Sequence, residues 1–130
     1  MIDVSLILSD FDGPTYLNAL IAVAQVDGVK PEEEAFINGQ AEAMGLPLPD
    51  LATPADVAAS AVASTVTKRI IVRDCIVLAS VDGSYTENER KRIFDVARHL
   101  DVSDALVERM ERWVTDYTRI LEEGQAILSE

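Results

Sequence analysis

Six carboxylates stand where they could hold a hard cation. Asp82, Glu87 and Glu89 fall close together, and Asp27, Glu33 and Glu34 repeat the arrangement earlier in the chain. All-oxygen sets of this kind suit calcium, magnesium or manganese. A structural role competes with that chemistry. Asp accepts backbone amides at turns, and Glu in a first helical turn caps it. Asp27 and Asp82 each precede a glycine at the end of an apolar, helix-like run, the negative end of a helix dipole. An acid there costs about 0.3–1 kcal/mol. The same violation occurring twice implies compensation, by caps or by a cation. An EF-hand is excluded. Asp82, Gly83 and Glu89 would fill its fifth, sixth and twelfth positions, but Leu78 or Val23 would occupy the first and cannot ligate calcium. Ser80 or Gln25 at the third would be weak.

Other reactive groups are sparse. Asp74 interrupts an apolar run, which implies a buried ion pair with a base from another helix, or a ligand role. Cys75, the sole cysteine, excludes an internal disulfide and reads as a small core residue. His99 is the sole histidine, so no zinc pair exists, and its place near a helix end suits capping. Arg90, Lys91, Arg92 and Arg98 form the basic cluster, either solvating a face and offsetting Glu87 and Asp95, or docking an acidic partner. No nucleophile elbow or phosphate loop is present. Paired carboxylates for glycoside chemistry would need an aromatic-walled cleft, and only seven aromatic residues are scattered along the chain. The expectation is a non-enzyme.

Composition agrees. In 130 residues, 48% are hydrophobic and 5% aromatic, enough for one aliphatic core. A net charge of −12 repels nucleic acid and anionic membranes; it suits cations or basic protein surfaces. Most of that charge lies in residues 1–65, which carry ten acids and one base, Lys30. A protein partner or a homo-oligomer is therefore expected. No basic leader opens the sequence and no apolar run is long enough for a span, so cytoplasmic residence is expected.

The elements that must position these groups are helical. Residues 1–11 alternate loosely, as a strand, an arm or a short helix would. Pro14 then opens a helix with Leu17, Leu20, Ile21 and Ala24 on one face, closed by Asp27-Gly28. Pro31 and Glu32–Glu34 open a second, with Ile37, Ala41 and Met44 as its face and Gly45 as its stop. Thr53-Pro54 opens a linking helix over about 54–64, and Thr65-Val66-Thr67 marks a break. Residues 68–81 read as a central, mostly buried helix. Thr86 and Glu89 make a capping box for the next, whose face is Ile93, Ala97 and Leu100. Ser103 caps the last helix, about 104–123, ended or bent by Gly124. Its 4-3-4-3 stripe of Leu106, Met110, Trp113, Tyr117 and Ile120 is a core or docking seam.

Two segments repeat. Ala24–Gly28 aligns with Ala79–Gly83; with one residue fewer in the first loop, Glu33, Ile37, Ala41, Met44 and Leu46 then fall on Glu89, Ile93, Ala97, Leu100 and Val102. The expectation is an all-α single domain of about six helices, with a helix–Asp-Gly–helix hairpin duplicated over about 14–46 and 68–102. An apolar helix ending in Ala-x-x-Asp-Gly, a Glu-rich helix start and a close near Gly-Leu resembles the TerB-like family of tellurite-resistance proteins over roughly residues 14–115. That resemblance implies an internally duplicated helical domain of bacterial stress systems whose acidic residues chelate metal. The first loop departs from the pattern, with Lys30 where an acid or a small polar cap is common.

Overall fold

The computed structural model describes residues 13–48, 64–81 and 83–129. Residues 1–11, the linking helix and Asp82 lie outside the described residues, except that Ser64 is seen as an N-cap. Five α-helices are described: α1 (Gly13–Ala24), α2 (Pro31–Met44), α3 (Thr65–Ser80), α4 (Glu87–His99) and α5 (Asp104–Ser129). No strand occurs among the described residues.

Helix ends follow local chemistry. After α1 the chain tightens into a single 3₁₀ turn, Gln25–Asp27, and leaves through Gly28 at φ +82°. Gly83 has φ +81°, so both Asp-Gly turns use the conformation that favours glycine. Gly45 ends α2 in the left-handed region, and Asp101 does the same after α4 at φ +57°. At these ends Leu46 N–H bonds the Ala41 carbonyl at 3.0 Å and Val102 N–H that of Ala97 at 2.8 Å. Ser64 caps α3 by accepting from Thr67 N–H at 3.3 Å. The break thus lies before Thr65, and α3 begins three residues earlier than periodicity indicates.

One core gathers the buried side chains, with α3 touching every other helix. Ile71, Val72, Cys75, Ile76, Leu78 and Ala79 face inward from it. The most completely enclosed helix is α1, however, not α3. Leu17, Leu20 and Val23 are wholly enclosed, and Ala19, Ala22 and Ala24, also wholly enclosed, are small enough to let neighbours approach closely. α3 instead keeps Lys68, Arg69 and Arg73 toward solvent.

α5 departs from expectation at both faces. It runs through Gly124 to Ser129, because one glycine costs a helix only about 1 kcal/mol and strong formers flank this one. Its buried residues are Val107 and Val114, with Leu106 and Met110 partly covered. The rest of the expected seam, Trp113, Tyr117 and Ile120, lies 49–56% exposed. The core reading of the seam therefore holds only as far as Met110.

Candidate functional site

The starts of α2 and α4 come together, and the acidic residues sort themselves there. Each helix carries a glutamate at its third position whose carboxylate reaches back to the residue before the helix. Glu89 Oε1 accepts from Thr86 N–H at 2.9 Å, and Thr86 Oγ1 accepts from Glu89 N–H at 3.1 Å, completing the box. Glu33 Oε1 accepts from Lys30 N–H at 3.1 Å. A lysine side chain has no acceptor to return the bond, so the α2 box is half built.

The loops are tied crosswise. Asp27, from the first hairpin, accepts from the Thr86 hydroxyl and from Asn88 Nδ2 (3.1 Å), both of the second. Lys30 Nζ donates to Ser84 Oγ at 2.9 Å. The Thr86 and Asn88 donors hold the exposed Asp27 carboxyl below its ordinary value. Compensation for an acid at a helix end thus comes from side chains about 60 positions away, rather than from amides of the adjacent helix.

Beneath these ties Glu33 and Glu89 lie buried against each other, at 0% and 1% exposure. Burial pushes the Glu33 carboxyl up to about 7; the hydrogen bond from Lys30 N–H pulls against it, and the neighbouring Glu89 carboxyl adds to the rise. With both groups charged, Glu33 Oε2 has no donor. A proton on Glu33 removes the repulsion and supplies a donor toward Glu89.

Among the five described carboxylates of the two loops, the contacts run across the hairpins, and Asp82 lies outside the described residues. Glu33 meets Glu89 across the hairpins, Asp27 turns to Thr86 and Asn88, and Glu34 and Glu87 are exposed. Among the described residues no three His, Cys, Asp or Glu side chains converge as a metal set.

The remaining candidates are structural. Asp74 pairs with Arg73 of its own helix at 3.1 Å, not with a base from another, and accepts at 2.7 Å from the buried Tyr16 hydroxyl of α1. Burial, and then Asp74, push the Tyr16 hydroxyl far up. Burial does the same to the Cys75 thiol, leaving it an inert core group. His99 Nδ1 lies 2.8 Å from the Asp95 carbonyl. Arg90 reaches Glu111 of α5 through two bonds of 2.9 and 3.2 Å, and Tyr85 donates to the same carboxylate at 2.8 Å. Arg98 pairs with Asp95 and Asp104, and both guanidinium groups sit over Phe94. Of the basic cluster, Arg90 through Glu111 and Arg98 through Asp104 fasten α4 to α5, while Lys91 is exposed. The distance between partners hid this clamp from sequence reasoning.

Among the described residues, most of the exposed large apolar side chains gather on the outer half of α5. Trp113 and Tyr117 stack with ring centres 5.3 Å apart, and the Arg73 guanidinium lies 5.9 Å from the Trp113 ring. Ile120, Leu121, Ile127 and Leu128 continue the stripe at 50–87% exposure. Every residue from 115 to 129 is exposed.

Most of the chain is similar to a known fold. A solved structure of a tellurite resistance protein from Nostoc punctiforme superposes with a TM-score of 0.67 and 21% identity, covering 90% of this chain and 79% of that one. The chain thus has the helical fold of that protein. No family model and no curated protein matches the sequence.

Proposed function

We propose that the chain is a non-catalytic, TerB-like binding module serving tellurite resistance or a related bacterial stress response, and that it works by docking another protein chain on α5. The exposed Trp113–Leu128 stripe carries this reading. A soluble surface rarely leaves so continuous an apolar strip uncovered unless something binds there. The tellurite connection is supported by likeness of fold to the Nostoc protein. No helix among the described residues is long and apolar enough to cross a membrane. In a strain lacking the gene, the wild-type chain is expected to restore growth on tellurite, while Ile120→Asp is expected not to. Ile120 touches no core, so its variant should keep wild-type circular dichroism. Full rescue by a folded Ile120→Asp chain would sink the reading.

One observation favours a second component, a divalent cation at the acidic loops. The Glu33 oxygen without a donor, beside Glu89, can be satisfied by a cation as well as by a proton. Glu33 and Glu89 would be its inner ligands, and Asp27, Glu34, Asp82 and Glu87 are the further carboxylates of the two loops that could complete its shell. Calcium, magnesium or manganese at about 100 times the dissociation constant should then stabilise the fold by about 2.7 kcal/mol. Glu33→Gln and Asp82→Asn should each abolish the gain. Identical melting with and without every ion would remove the cation from the account.

A further inference from the structure

We infer that the occupant of the α5 stripe is a second copy of this chain, paired antiparallel with it through the outer half of the helix. This rests on the reading of the stripe as the docking surface and deepens it. Three observations carry the inference.

The first is that, among the described residues, the outer half of α5 packs against none of the core. Residues 115–129 are all exposed, about 22 Å of helix at 1.5 Å per residue. A helix of that length without tertiary contacts is marginal in water. The second is area. Covering Trp113, Tyr117, Ile120, Leu121, Ile127 and Leu128 would remove on the order of 800 Å² per copy, the share each partner gives to a standard-sized interface.

The third is the pattern itself. Met110, Trp113, Tyr117, Ile120, Gly124 and Ile127 follow one another at spacings of 3, 4, 3, 4 and 3, the period of a supercoiled seam. Laid against itself in reverse, the seam is complementary in size. Trp113 falls opposite Gly124 of the second copy, where no side chain occupies the notch, and Tyr117 falls opposite Ile120. Met110 falls opposite Ile127. A two-fold axis between Tyr117 and Ile120 repeats each pair, as a closed dimer requires. A parallel pairing would set Trp113 on Trp113 and Gly124 on Gly124, crowding one layer and emptying another. Beside the seam, Arg119 pairs with Asp116 and Glu123 of its own helix, which tempers the acidic flank. Each copy still carries −12, so salt should strengthen the pair.

The test is sedimentation of the full chain from about 1 to 200 µM, at low and at 0.5 M salt. Expected is a reversible dimer, tighter at high salt, whose dissociation constant rises at least tenfold in Ile120→Asp. Direction is read by mixing Tyr117→Cys and Ile120→Cys chains, each also carrying Cys75→Ala, under oxidation. Antiparallel pairing gives the mixed disulfide, whereas parallel pairing gives each chain linked to its own kind. A monomer throughout, a dimer indifferent to Ile120→Asp, or like-with-like disulfides would overturn the inference. A monomer whose tellurite rescue still needs Ile120 overturns self-pairing alone and leaves the docking reading standing. A dimer whose loss leaves rescue intact does the reverse.

Discussion

Raising the pH from about 5 to about 8 is expected to cost the domain roughly 2–3 kcal/mol of stability, and Glu33→Gln is expected to remove most of that loss. Glu33 is fully buried and its carboxyl is pushed up from the ordinary 4.5 to about 7. A group whose folded value is raised holds its proton more tightly when folded. Its contribution is therefore fully present below about 4.5 and is lost as the pH climbs through about 7. Each unit of difference corresponds to about 1.36 kcal/mol, and the charged groups facing Glu33 are the Glu89 carboxyl, which raises its value, and Lys30, which lowers it. Asp27 moves the opposite way, so its contribution is complete by about pH 5 and does not confuse the window. Glutamine keeps an oxygen for Lys30 N–H and adds a donor toward Glu89, with no charge to bury. Urea melts of both proteins at the two pH values decide the matter. Parallel pH profiles for wild type and Glu33→Gln would place the titration elsewhere.

The largest loss from any single truncation is expected inside α1. Leu20 is wholly buried in the helix most tightly enclosed by its neighbours. Leu20→Ala removes transfer energy and leaves a cavity in the core, at a cost of about 2–5 kcal/mol, roughly 6–25 °C in melting temperature for a chain of this size. Leu48→Ala, at a position 43% exposed, should fall within about 0.5 kcal/mol of wild type. Similar losses at the two sites would mean that α1 is not the centre of the core.

Most of the hairpin architecture was readable because its signals are local. Pro31, Thr86, Gly28, Gly45 and Gly83 each act on their own backbone, so the helix ends fell where these residues stand. The match of Glu33 to Glu89 also carried real content, since both occupy the third position of a helix and make the same return bond. What the sequence hid was the side-chain contacts between elements far apart in the chain. Asp27 with Thr86, Tyr16 with Asp74 and Arg90 with Glu111 are side-chain meetings of residues 21 to 59 positions apart, and no periodicity encodes them. Apposition of two glutamates was least legible, because like charges are ordinarily kept apart. The seam of α5 failed differently. An apolar stripe states that a face must be covered, but not whether the cover belongs to the same molecule.

Val114 is the last buried residue of α5, and nothing after it touches the core. Selection can therefore rewrite the last four turns of that helix without endangering the fold beneath them. Among descendants of this chain, partners should be exchanged by drift past Val114, while the residues before it stay under the steady constraint of packing.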